Sequence, residues 1–194
     1  MELHGVDISQ GELAQALKRS PKSARFTRAR AQQLPFISAS FDAVLRHMAL
    51  MLMSDHQGAL KEVSRVLKSS GRFAAIVGAD APISDAQKFF IDCISGYARK
   101  EEYEDVSFRE SNLRDPIVLR KLFLSHFANV SIDRIEVALL WSAQQAWDWF
   151  SSMYDLALRR IDSIQKVKAR FLNLVGDNGL KHIVALQLIQ ATKH

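Results

Sequence analysis

The stretch from Gln33 to Arg72 most constrains what this chain can fold into. It opens on Gln33-Leu34-Pro35-Phe36 and continues through Ser40-Phe41-Asp42-Ala43-Val44-Leu45. It closes on Arg65-Val66-Leu67-Lys68-Ser69-Ser70-Gly71-Arg72. Phe41 to Leu45 is an apolar run of strand length, the pattern of a buried parallel strand. Ser54 and Asp55 are helix-start residues, and Ala59, Leu60, Val63, Val66 and Leu67 then share one helical face. Gly71 follows the last periodic residue, where a left-handed helix cap favours glycine. Arg72 to Gly78 reads as the next buried strand. Strand, helix and strand this close together predict a right-handed parallel crossover.

With 194 residues, the chain is long enough for one domain with a sizeable core. The reading divides it into a first half, 1–80, and a second half, 81–194. No apolar run approaches the ~20 residues of a membrane span, and the N-terminus has no basic-then-apolar signal pattern, so the expectation is a cytoplasmic protein. Cys93 is the single cysteine, which excludes an internal disulfide and a cysteine zinc site. It falls in a helical pattern and reads as a core thiol. The net charge of +5 is uneven. Lys18, Arg19, Lys22, Arg25, Arg28 and Arg30 come with no carboxylate between Glu12 and Asp42. A solvated face is the simpler reading. A polyanion-facing patch is the alternative, but Phe26 alone makes a poor stacking platform, so nucleic acid is not the expected partner.

The segments before and after complete an alternating pattern. Val6 and Ile8 bracket Asp7, and Ser9 with Glu12 spells a capping box for a helix carrying Leu13, Ala14, Ala16 and Leu17. Asp7 thus stands where a strand gives way to a helix, at the carboxyl edge where open α/β sheets bind ligands. A short strand over 24–27 and a loop to Ala39 follow. Beyond Gly78, helices are predicted over 85–99, from Asp115-Pro116, and from Ser142 with Gln145 through Trp147, Phe150 and Tyr154. Ile161, Ile164, Val167, Phe171 and Leu174 keep helical register. Val130 to Val137 alternates as a strand, and Ile183 to Ile189 reads as the closing one. Glu101 to Asp105 reads as a solvated acidic turn. Trp141, Trp147 and Trp149 could line a substrate pocket, although Trp147 and its neighbours at helical spacing are more often core.

Gly5-Val6-Asp7-Ile8-Ser9, Leu34-Pro35-Phe36, Ser40-Phe41-Asp42-Ala43-Val44, Arg65-Val66-Leu67-Lys68 and Gly71-Arg72 together resemble the class I S-adenosylmethionine-dependent methyltransferases, of the type acting on small molecules such as quinones. The resemblance implies a Rossmann-like, doubly wound α/β fold: a mostly parallel sheet, helices on both faces and a helical C-terminal insertion. It implies S-adenosylmethionine as cofactor and a small-molecule methyl acceptor. Asp7 would accept the ribose hydroxyls and Ile8 would pack on adenine. Arg30, Ala31 and Gln32 would flank the adenine edge, and Arg46, His47 and Met48 would face the methyl donor. His47 is the candidate base for an acceptor that must lose a proton.

Three departures accompany the resemblance. Arg30 stands where the family has an aspartate, and a guanidinium has no acceptor for the adenine amino group. Arg46 replaces a small residue near the sulfonium. The glycine-rich first motif would precede Gly5 by some twenty residues, and the sequence as given holds four there. Without the strand that motif follows, its neighbours would present open edges. A non-catalytic binding or oligomerisation module, a homodimer through that edge, is therefore the alternative to an active enzyme. No Gly-x-x-x-x-Gly-Lys loop or Gly-x-Ser-x-Gly elbow occurs.

Overall fold

The computed structural model describes residues 2–101, 111–176 and 179–194. Residues 102–105 of the acidic run lie outside the described residues. In chain order the strands are β1 (His4–Asp7), β2 (Arg25–Arg28), β3 (Phe41–His47), β4 (Leu67–Gly78), β5 (Ala128–Trp141) and β6 (Leu180–Thr192). The helices are α1 (Gln10–Arg19), α2 (His56–Val66), α3 (Asp85–Ile94), α4 (Pro116–Leu124), α5 (Ala143–Ser151), α6 (Tyr154–Ala157) and α7 (Ile164–Val175). β1 and β2 form one parallel pair. The remaining strands form a sheet in the order β3-β4-β6-β5, with β3 parallel to β4. This is the Rossmann-like α/β architecture that the resemblance implies.

Two compact units emerge. One comprises Met1–Gly78, Ser111–Asp133 and Gln187–His194; the other comprises Ala79–Glu110 and Arg134–Leu186. In the first unit the α2 face expected from the spacing is buried: Ala59, Leu60, Val63 and Val66 join Phe73, Val77, Leu119, Phe123, Phe127 and Ile189. Phe73 stacks on Phe123 with centroids 5.5 Å apart. Burial of apolar area at ~25 cal/mol per Å² makes such clusters the main support of each unit. In the second unit Phe90, Cys93, Trp141, Trp147, Phe150 and Phe171 form the core. Trp147 and Cys93 are core residues there, as read from their spacing, and burial raises the Cys93 thiol pKa.

Several local expectations are corrected. The α2–β4 junction has no glycine cap: Leu67 is the C-cap, and Ser70 takes the left-handed conformation with φ 61°. Gly71 is required for clearance instead. A Cβ there would sit 2.8 Å from the Lys68 carbonyl oxygen. Phe41 pairs with Leu67 while Ala43 pairs with Arg72, so 68–71 loop out of the ladder. The β3 strand is not the buried strand its composition implies. It ends its sheet, and Leu45 is 80% exposed. Of the α1 apolar residues only Leu13 is buried; Leu17 lies 58% exposed. The β5 alternation does not become alternate burial, since 133–138 are all exposed. The chain turns after Ser151, so Tyr154 starts the short α6 rather than extending α5.

The helix N-caps match the sequence, although of the expected Ser9–Glu12 box only the Ser9 half forms among the described residues. Ser142 and Gln145 form a reciprocal capping box at α5. Asp115 caps α4 ahead of Pro116, Asp55 caps α2 and Ser9 caps α1. Each side chain satisfies an otherwise orphaned backbone N–H of a first turn.

Candidate functional site

All of the predicted site residues lie in the first unit, at the carboxyl ends of β1, β2 and β3. Asp7 is the last residue of β1, opposite Arg28, the last of β2. Its Oδ1 accepts the Ser9 N–H at 2.7 Å, which fixes the carboxylate beside the α1 entrance. The Ile8 side chain is 56% exposed, while its carbonyl accepts Arg28 Nε at 2.9 Å. The close β1–β2 approach needs glycine at position 5, since a Cβ there would fall 2.5 Å from the Phe26 ring.

The chain leaves β2 through a bond from Ala29 N–H to the Asp7 carbonyl (3.1 Å) and then turns, with Gln33 N–H donating to the Arg30 carbonyl (3.0 Å). Ala31 and Gln32 occupy the two central positions of this turn. The fold therefore brings the 30–33 turn to the strand end that carries Asp7, with the Arg30 side chain exposed.

A network missed by the sequence reading holds the next segment. Glu62 and Arg65, one turn apart on α2, form a two-pronged pair: Arg65 Nε donates to Glu62 Oε1 (2.6 Å) and Nη2 donates to Oε2 (2.8 Å). Arg65 also donates to the carbonyls of Leu34 (3.0 Å) and Phe36 (2.7 Å), and Glu62 Oε2 accepts the Leu34 N–H (2.8 Å). The Leu34-Pro35-Phe36 segment is thus gripped on both sides of its proline. The Arg65 guanidinium holds the Glu62 carboxyl below its ordinary pKa, outweighing the opposing effect of burial. The readable signal was a carboxylate and an arginine at i, i+3 on a helix following a proline loop.

At the end of β3, Arg46 and His47 pair with Ala75 and Ile76 of β4. His47 is exposed. Met48 has φ 51°, a left-handed conformation uncommon outside glycine, and donates its N–H to the Ile76 carbonyl (2.9 Å). Arg46 Nη2 donates to the Met53 sulfur at 3.3 Å. Its Nη1 is out of solvent without a hydrogen-bond partner. Burial lowers the Arg46 pKa.

At their other ends β1 and β3 meet through side chains. The His4, Phe36 and Phe41 rings pack edge to face, His4 to Phe41 at 5.6 Å and Phe36 to Phe41 at 4.8 Å. No ladder joins the two strands among the described residues.

Residues 1–75 match the family model described as a methyltransferase domain. An uncharacterized methyltransferase of Bacillus subtilis, YdaC, is 25% identical over 118 residues, 59% of this chain and 65% of that protein. A second from the same organism, YcgJ, is 38% identical over 79 residues, 39% of this chain and 31% of that protein. The chain thus spans less than two thirds of either curated relative in these matches. The crystal structure of YcgJ superposes with a TM-score of 0.58 at 21% identity, covering all of this chain and 82% of that one. A Haemonchus contortus phosphoethanolamine N-methyltransferase, in complex with phosphomonomethylethanolamine and S-adenosylhomocysteine, superposes with a TM-score of 0.55 at 14% identity, over all of this chain and 44% of that one. Its first 75 residues thus match a methyltransferase domain, and its fold is that of these solved methyltransferase structures.

Proposed function

We propose that the chain binds S-adenosylmethionine at the carboxyl ends of β1, β2 and β3 and serves methyl transfer to a small-molecule acceptor. The observation that carries this reading is the meeting of the Asp7 carboxylate with the 30–33 turn at one strand end. A carboxylate anchored by one backbone N–H keeps acceptor capacity for two ribose hydroxyls, a charge-assisted pairing. The Ala31 and Gln32 backbone groups and the exposed Ile8 side chain lie beside it as the adenine-side surface. The donor set suits the nucleoside end. At the other end Arg46 sets a cation where a sulfonium would approach, an unfavourable like-charge contact. When bound, the cofactor supplies an electrophilic methyl group. The work of this chain is to position the acceptor, which can provide much of the rate. His47, exposed at the end of β3, is the base for an acceptor that loses a proton.

Thermal unfolding with S-adenosylhomocysteine tests this reading. A ligand that binds the folded state alone raises the midpoint by mass action. The wild-type midpoint is expected to rise with the logarithm of ligand concentration and the Asp7→Ala midpoint to stay flat. No rise at millimolar ligand in folded wild type removes the reading.

A second reading has its own observation. Among the described residues β1 pairs with β2 alone and β3 ends the four-stranded sheet, which leaves open strand edges on both. Such edges are templates for another strand. A module pairing through them, as a homodimer, is favoured if sedimentation gives a concentration-dependent dimer while S-adenosylhomocysteine fails to bind.

A further inference from the structure

Among the described residues, the first unit contains a cation without a counterion. Arg46 is half-buried on β3, and a guanidinium carries five donors in a rigid fork. Among the described residues its one hydrogen-bond partner is the Met53 thioether, a weak acceptor, and Nη1 has none. The contrast is Arg65, whose donors meet a carboxylate and two carbonyls. A charge withdrawn from water without a partner is a cost that packing alone does not return. Its place is the carboxyl end of a parallel strand, the edge at which open α/β sheets take ligands.

We propose that Arg46 is the receiving group for the carboxylate of a small organic acid. A carboxylate has two coplanar oxygens that match the fork of a guanidinium. A single guanidinium balances a single negative charge. Met53, in contact with Arg46 and partly buried against the core, is flexible, and its apolar side chain adapts to the body of such a ligand. Anion capture also removes the like charge facing a sulfonium, so a carboxylate ligand and S-adenosylmethionine favour each other's binding. The anion site stands on the Arg46 geometry. Its assignment to the methyl acceptor rests on the cofactor reading above.

The test is thermal unfolding in sodium benzoate against sodium chloride at matched ionic strength, for wild type, Arg46→Lys and Arg46→Met. Wild type is expected to gain about 2–5 °C as benzoate exceeds its dissociation constant tenfold. Arg46→Lys keeps a smaller response, and Arg46→Met has none. In chloride alone the Arg46→Met midpoint lies at or above that of wild type, because the lost group had no partner. Equal responses in wild type and Arg46→Met, a wild type that ignores benzoate, or an Arg46→Met protein that melts several degrees early in chloride would each overturn the proposal. A parallel series with S-adenosylhomocysteine separates the two readings. A response to that nucleoside without one to benzoate rejects the anion site and leaves cofactor binding standing. An Arg46-dependent benzoate response without one to the nucleoside supports the anion site and rejects the cofactor reading.

Discussion

Arg65 and Arg46 belong to the same unit and the same crossover, yet their surroundings are opposite. Arg65 is spent on structure: Glu62 takes two of its donors, and the Leu34 and Phe36 carbonyls take others. Arg46 holds a thioether at 3.3 Å and little else. The difference teaches how to tell a scaffold cation from a ligand cation. A guanidinium whose fork is filled by its own chain has no capacity for a guest. One withdrawn from water with its fork unfilled is costly until a guest arrives.

The comparison can be broken most forcefully at Arg65. Arg65→Ala removes the grip on Leu34 and Phe36 and strands a carboxylate that is only 17% exposed. Charge-assisted hydrogen bonds of this kind are worth about 1.5–3 kcal/mol each before compensation, so a loss of about 3 kcal/mol in urea unfolding is predicted. A loss below about 1 kcal/mol would show that the grip is ornamental.

Glu62→Gln is the next largest effect, about 1.5 kcal/mol at neutral pH, because an amide keeps an acceptor but loses the charge. It also carries a pH signature. The folded-state pKa of Glu62 is depressed, so its contribution is present above the ordinary glutamate value, near 4.3, and is lost as pH falls through the folded value. As pH falls from the ordinary glutamate value through the folded one, wild type therefore loses more stability than Glu62→Gln, and the two curves converge. Parallel curves would remove Glu62 from the account.

The Arg46 side is sharpened by ligand charge. In wild type, S-adenosylhomocysteine, with a neutral sulfur, is predicted to bind more tightly than S-adenosylmethionine. Arg46→Met narrows that ratio by about tenfold, or about 1.4 kcal/mol, measured by calorimetry. An unchanged ratio places Arg46 away from the sulfur.

Much of this was legible because local chemistry and tertiary need agreed. Asp55 caps α2, the α2 apolar face is the buried one, and Ser142 with Gln145 closes a capping box. Asp7 stands at a strand end as its flanking Val6 and Ser9 imply. What failed was non-local. Gly71 looks like a cap because glycine favours left-handed turns, but the β3–β4 register placed that turn on Ser70 and used Gly71 for clearance. Phe41 to Leu45 reads as buried from composition, and no local pattern reveals that β3 ends its sheet with Leu45 exposed. The Glu62–Arg65 grip was hidden for the same reason, since its acceptors at Leu34 and Phe36 are backbone groups a whole strand away. The missing partner of Arg46 could be seen only once the packing around it was known.

The proposed cofactor site rests on Asp7 and the 30–33 turn holding a nucleoside. Isothermal calorimetry of wild type and Asp7→Ala against S-adenosylhomocysteine tests that directly. The account predicts saturable one-site binding to wild type, weakened at least tenfold in an Asp7→Ala protein that stays folded. Equal affinities for the two proteins, or no binding heat from folded wild type at millimolar ligand, would contradict it.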